Sequence, residues 1–430
     1  MMRVLMFGWE FPPHISGGLG TACYGLTKGL YGVGVDNIIF VVPKAYGDED
    51  TSKVSIIDAG DVEVSERVVN YSSFFKKMRF IEVGSSLRAY SNPEEYEKLT
   101  EKERSGSNYM IQSSFSGKLS FSGGYGQNIF QEIANYAVVA SVIAYKEKFD
   151  IIHAHDWLAY PAGIAAKMIS GKPLVVHVHA TDFDRSGGNV NPGVYEIEKL
   201  GMEMADKVIA VSNLTRNIII EKYGIDPDKV VTVHNAVEPI EDREILKMDR
   251  SINDKIVTFL GRVTLQKGPE YFIEAANLVL QKMKNVRFVM AGSGDMLNRM
   301  IGRVAALKIG DRFHFTGFLK GDDVHHMFSL SDVYVMPSIS EPFGISPLEA
   351  MQSDVPVIIS RQSGVSEILQ HAIKVDFWDT HAMADAIYGI LKYEGLPNMF
   401  KKNARIEVDN LKWEHAAEKV KDVYLSLLNK

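Results

Sequence analysis

The chain has 430 residues, 46% of them hydrophobic and 23% charged, and its 54 acidic against 47 basic side chains leave a formal charge of -7. That balance excludes a disordered chain or a mini-protein and argues against a broadly basic nucleic-acid face, while leaving room for a local anion site. The single cysteine, Cys23, allows neither an intrachain disulfide nor a cysteine-built zinc cage, which points to a reducing, cytoplasmic setting.

In chain order, Arg3 to Phe7 is an apolar run that meets Gly8, Trp9, Glu10 and a proline pair too early for a secretory signal, so it reads as a first strand. Gly17, Gly18 and Gly20 follow, and residues 22–30 supply a helix. Asn37 to Val42 repeats the buried-strand signal until Pro43, as suits a parallel strand covered on both faces. Between Tyr46 and Gln127 charge, Ser and Gly mix with isolated aromatics, which predicts an insertion. Its stretch from Ser105 to Tyr125 is either a lid or a plain surface loop. Regular patterning resumes with a helix over 128–145 and strands at Asp150–Ala154, Leu174–Val178, Lys207–Val211 and Val230–His234. Five or six parallel strands thus account for the first half, residues 1–235.

A break near 235–255, marked by Pro239 and a charged run, precedes strands at Ile256–Leu260, Val286–Ala291, Arg312–Phe315, Val333–Met336 and Val355–Ile359. Residues 236–411 therefore read as a second doubly wound sheet. Trp413, Ala416, Ala417, Val420, Val423 and Tyr424 recur at helical spacing, so 412–430 predicts a helix that crosses back to the first domain. The expected fold is α/β, two Rossmann-like domains facing a central cleft. No segment has the roughly 20 apolar residues that span a bilayer, which leaves peripheral membrane contact and self-association open.

Arg262, at a strand end, and Lys267, five positions on, can converge on a diphosphate whose charge grows as its bond to a sugar breaks; the plainer reading is a solvated basic loop. Glu341-Pro342-Phe343-Gly344-Ile345, followed by Glu349, is more informative. With a helix starting near Ile345, the amides of Phe343, Gly344 and Ile345 offer a phosphate site and Glu349 can hold ribose hydroxyls. The alternative makes Glu341 a helix cap and Glu349 a solvent-facing residue. Ser293, between Gly292 and Gly294, sits where a nucleotide packs in such a sheet, and Gly18 is placed to approach an anion from the other domain; either glycine segment also serves as a simple βα turn.

His153 and His155, and likewise His177 and His179, invite a metal reading. With no flanking cysteine, and with polar residues common at strand ends, no protein-bound metal is expected. His155, Asp156 and Trp157, together with His179, Asp182, Asp184 and Arg185, are read as lining a sugar pocket, with Trp157 equally suited to the core. Cys23 reads as a buried small residue.

The Glu341-Pro342-Phe343-Gly344 segment with Glu349, supported by Gly261-Arg262 and Lys267, resembles the retaining two-Rossmann-domain (GT-B) glycosyltransferases of family 4, and the resemblance covers nearly the whole chain. It implies that Arg262 and Lys267 contact the donor diphosphate, Glu349 the donor ribose, Glu341 the transferred sugar, Gly18 the phosphate from beneath, and His179 the donor sugar near the reaction centre. His153-Ala154-His155-Asp156-Trp157 is similar to glycogen and starch synthases. The expected activity is transfer of glucose from UDP-glucose or ADP-glucose to the non-reducing end of an α-1,4-glucan, with no tightly bound cofactor. Ile15 and Thr21 stand where bacterial starch synthases usually carry Lys and Asp, which keeps another sugar or a lipid-linked polysaccharide acceptor as the alternative.

Overall fold

The computed structural model describes residues 2–15, 17–64, 117–126, 128–240 and 252–429. The N-terminal half comprises β1 (Arg3–Phe7), α1 (Gly18–Gly32), β2 (Asn37–Val42), β3 (Ser55–Asp58), β4 (Glu63–Val64), β5 (Gly117–Lys118), α2 (Ile129–Lys146), β6 (Ile151–His155), α3 (Asp156–Ser170), β7 (Leu174–Val178), α4 (Asp182–Ser186), α5 (Pro192–Met204), β8 (Lys207–Ala210), α6 (Asn213–Tyr223) and β9 (Val230–Thr232). Seven of these strands form one sheet in the order β3-β2-β1-β6-β7-β8-β9, paired in parallel throughout. Strands β6 and β7 are buried along their whole length, which is why they read as continuous apolar runs rather than alternating ones.

The second half repeats the plan with β10 (Lys255–Leu260), α7 (Pro269–Lys282), β11 (Val286–Ala291), α8 (Leu297–Ala306), β12 (Phe313–Gly317), α9 (Asp322–Ser329), β13 (Val333–Met336), α10 (Ser346–Gln352), β14 (Val357–Ser360), β15 (Ile373–Val375), α11 (Thr380–Lys392), α12 (Gly395–Asp409) and α13 (Trp413–Leu428). Its six strands are ordered β12-β11-β10-β13-β14-β15, again parallel. In both sheets the order reverses beside the first strand, and that switch opens a crevice at the carboxyl ends of the strands.

Two expectations about strands are corrected. The interval read as an insertion from residue 46 gives β3 to the edge of the main sheet, and β15 was not anticipated. Both are short edge strands with mostly half-buried side chains, so neither shows the apolar run that marks a central strand. The remainder of that interval, 65–116 and 127, lies outside the described residues, as does the first part of the stretch from Ser105 to Tyr125.

Helix α13 belongs spatially to the N-terminal domain. Its stripe of Trp413, Ala416, Ala417, Val420, Val423 and Tyr424 is buried in one core with Val4, Met6, Cys23, Leu26 and Phe40. The fit against α1 is close: a methyl group at Gly25 would lie 2.2 Å from the Trp413 ring, and one at Gly29 would lie 2.5 Å from its carbonyl oxygen. Tyr424 at the far end donates or accepts a 2.5 Å hydrogen bond with Nδ1 of His153 on β6. The chain terminus is thereby fastened to the middle of the first sheet.

Candidate active site

The C-terminal wall of the crevice is built from the loops after β10, β11 and β13. Backbone packs on backbone there, since a methyl at Gly292 (φ 143°) would fall 1.8 Å from the Gly261 carbonyl oxygen and one at Gly294 2.4 Å from that of Val263. Only glycine fits these approaches. The Val263 amide donates to the Ser293 carbonyl at 2.8 Å, so Ser293 is held beside the loop that carries Arg262. A single 3₁₀ turn, Leu265–Lys267, then brings Lys267 back over Gly261.

Lys267 Nζ forms an ion pair with Glu341 Oε2, and the Ser338 hydroxyl donates to the same oxygen at 3.1 Å. The side chains are 20% and 8% exposed, so solvent screening of the pair is weak. Gln266 is the hub of the cluster: its side-chain oxygen accepts from Arg262 Nη2 at 3.4 Å, its Nε2 donates to the Ser340 carbonyl at 3.1 Å, and its own carbonyl accepts from the Ile339 amide at 2.8 Å. Arg262, Lys267 and Glu341 are therefore one assembly. Gln266 was not singled out from the sequence, although it stands inside the same Arg262-to-Lys267 segment; a neutral amide carries no charge signal.

Phe343, Gly344 and Ile345 lead into α10, whose first turn has no side-chain cap. Glu341 is thus occupied by Lys267 and Ser338 rather than capping that helix. Gly344 adopts φ 100°, and a methyl there would press at 3.2 Å on the Glu341 stem and on Met336, so this glycine shapes the bend that aims Glu341. Glu349 is half-buried, not solvent-facing, and desolvation pushes its pKa up to about 7. The Tyr334 phenol on β13, hydrogen bonded to Ser346 Oγ at 2.9 Å, is raised above its ordinary range, first by burial and then by the Glu341 and Glu349 carboxylates.

The opposite wall carries His179 on the loop after β7. The Asp156 carboxylate accepts the His179 amide at 2.7 Å and the Ala180 amide at 3.4 Å, while Arg185 Nη1 donates to the Ala180 carbonyl at 3.2 Å. Asp156 holds φ 59°, uncommon for a non-glycine residue, and burial raises its pKa to about 6. Arg185 is 3% exposed and is enclosed by Asp182 and Glu198, with Glu198 also hydrogen bonded to the Tyr223 hydroxyl. Burial pushes the Glu198 pKa up to about 7.

The structure places His155, Asp156, Trp157, Asp182 and Arg185, read from the sequence as a sugar pocket, against protein partners. Each is buried: His155 faces other imidazoles, Trp157 packs on Phe130 in the core, and the three charged residues brace the His179 loop from below. Charged residues after a strand end suggest a ligand wall, but here their partners lie in the protein. The ring of His179 also points inward, with Nε2 at 3.1 Å from Nδ1 of His155, and burial lowers its pKa to about 3. Gly18 is exposed at the start of α1, where a β-carbon added at Gly17 or Gly18 would meet nothing within 4 Å. Ile15, by contrast, packs under Gly20, and the buried Glu10 carboxylate accepts the Gly20 amide at 3.3 Å.

The two walls touch. Ser340 Oγ donates to Asp184 Oδ1 at 2.5 Å, and the Glu367 carboxylate accepts the amides of Asn213 and Leu214 at the start of α6 while bonding His234 Nε2 at 2.8 Å. These contacts set the His179 loop opposite the Lys267–Glu341 pair. None was legible from spacing, because each joins residues more than 130 positions apart.

Residues 126–240 match the family model Glycosyltransferase Family 4, and residues 242–407 match the model for glycosyl transferases group 1. An uncharacterised glycosyltransferase of Methanocaldococcus jannaschii is 27% identical over 98% of both chains. A glycogen synthase of Mycobacterium tuberculosis is 23% identical over 99% of this chain and 95% of its own. Among solved structures, a sucrose-phosphate synthase from Thermosynechococcus elongatus superposes with a TM-score of 0.72 at 18% identity, each chain covered in full.

Proposed function

We propose that the chain is a glycosyltransferase of the GT-B fold, residues 126–240 and 242–407 matching the family 4 and group 1 models, and that it transfers a hexosyl group, with retention, from a nucleoside diphosphate sugar to an acceptor hydroxyl. The observation that carries this reading is the joined Arg262, Gln266, Lys267 and Glu341 assembly. A diphosphate seated against Arg262 and Lys267 gains fixed cationic donors as its bond to the sugar weakens, with no solvent reorganisation at that moment. Glu341, tethered by Lys267 and Ser338, orients the transferred sugar, and Glu349 takes the ribose. The amides of Phe343, Gly344 and Ile345 add donors to the phosphate, and Gly18 leaves the opposite wall open to it. The leaving diphosphate serves as base for the incoming hydroxyl, so no covalent enzyme-sugar adduct is required.

For the substrates, we propose glucose from UDP-glucose or ADP-glucose and the non-reducing end of an α-1,4-glucan. The full-length likeness to a glycogen synthase supports this assignment. The packing of Ile15 beneath Gly20 favours a second reading, a different sugar or a lipid-linked polysaccharide acceptor, because an apolar side chain occupies the place of a basic one beside the phosphate loop. Incubation of the purified chain with UDP-, ADP- and GDP-sugars against maltooligosaccharides and non-glucan acceptors, read by mass spectrometry, separates the two. Longer α-linked oligosaccharides support glucan extension. Transfer to other acceptors alone sinks the glucan assignment, and an epimerised intact donor without acceptor sinks glycosyl transfer itself.

A further inference from the structure

Beneath the His179 loop lies a group of imidazoles that the proposed transfer does not use. His153 and His155 are two apart on β6 and so project from the same face, and His155 is the register partner of His177 on the neighbouring strand β7. Two positions along one strand and one across set three β-carbons in a triangle with sides of about 5–8 Å, a span from which three imidazoles can reach one ion. One ring nitrogen from each of His153, His155 and His177 already lies within 4.8 Å of the others, and all three residues are buried.

Their hydrogen bonding is lopsided. Nδ1 of His153 is held by the Tyr424 hydroxyl and Nδ1 of His155 by His179, whereas Nε2 of both and both nitrogens of His177 have no partner among the described residues. A buried polar atom left without a partner costs the desolvation of that atom, and a lone pair on neutral imidazole is relieved by a metal ion as well as by a proton. A hydrogen bond to one ring nitrogen with the other left over is the pattern by which metal-ligating histidines are oriented. Cys23 on α1, remote in sequence, brings its sulfur within 4.8 Å of ring nitrogens of His155 and His179, which supplies the soft donor that the sequence lacked beside the histidines.

We propose that His153, His155 and His177 form a binding site for a divalent transition metal of the zinc class, with Cys23 available to a fourth position. The rings now stack, with centroids 4.3–5.4 Å apart. Because a lone pair lies in its ring plane, loading turns the rings about the bond to the β-carbon so that the nitrogens converge. The site is structural: it ties β6, β7 and, through Tyr424, α13 together under the His179 loop.

The full chain, stripped with chelator under native conditions, is titrated with Co2+ and then with Zn2+. One retained equivalent with the visible bands of four-coordinate cobalt is expected, and zinc-edge absorption should show imidazole nitrogens at about 2.0–2.1 Å. His177→Phe should abolish retention, and Tyr424→Phe, which leaves every ligand in place, should weaken it by about 10–100-fold. Should His177→Phe fail to fold, the absorption edge and the tyrosine variant still decide. No retained metal, an oxygen-only shell, or affinity indifferent to the substitutions overturns the assignment.

Discussion

Replacing Lys267 by Met keeps the length of the side chain and removes its charge, leaving the Glu341 carboxylate with the Ser338 hydroxyl as its side-chain donor among the described residues. Breaking a fully buried pair costs about 3–5 kcal/mol; with a fifth of the lysine side chain still reaching water, about 2–4 kcal/mol is expected here. Glu341→Gln alone should cost about 1 kcal/mol, because the freed ammonium can turn to solvent. The double variant carries no stranded charge and should lie within about 1 kcal/mol of the parent. Urea unfolding of the four proteins therefore yields a coupling of about 2 kcal/mol or more. In parallel, Lys267→Met should lower kcat by about 10²–10³, and the double variant should remain as slow although its stability has returned. Destabilisations that add within about 0.5 kcal/mol would refute the buried-pair argument. Unchanged turnover in Lys267→Met would refute its place at the diphosphate.

Desolvation holds the Glu349 carboxyl at about 7, above its ordinary 4.5. Below pH 4.5 it is protonated in folded and unfolded chains alike. As pH rises from 4.5 to 7 the unfolded chain releases the proton first, so native stability falls by up to about 3 kcal/mol and then levels off. Glu349→Gln should match the parent at pH 4 and exceed it in urea stability by up to that amount at pH 8; curves that stay parallel across this range would contradict the assignment. Trp413→Ala should cost about 3–5 kcal/mol by emptying the contact between α13 and α1, seen as a lower Tm, and Gly25→Ala should destabilise by collision with the same ring. Asp156→Ala frees the amides of His179 and Ala180 and should cost about 1.5–3 kcal/mol, with faster amide exchange confined at first to that loop; unaltered exchange there would show that Asp156 does not hold it.

The sequence carried the architecture well wherever strands are central. β1, β6, β7, β10 and β13 are buried on both faces, and an unbroken apolar run bounded by Gly, Pro or charge is a local signal. Edge strands β3 and β15 escaped because most of their side chains are only partly buried and their identity as strands depends on a neighbour. The Arg262-to-Lys267 and Glu341-to-Glu349 segments were equally legible as candidates, since charge and glycine recur there at short, readable spacing. Their joining by Gln266 was not.

What the chain determined by itself was the alternation of buried strands and helices, the glycine turns at strand ends, and which loops carry charge, all consequences of local pattern and backbone sterics. Tertiary structure alone decided which charged side chains meet one another. Asp156, Asp182 and Arg185 read as site residues in the sequence, and in the fold each meets a protein partner, Asp156 the His179 amide and Arg185 both Asp182 and Glu198, because buried charge must find one. The four histidines and Cys23 tell the converse. Scattered over more than 150 positions, they meet because parallel pairing of β6 with β7 and the packing of α1 bring them together, and sequence spacing encodes no such distance.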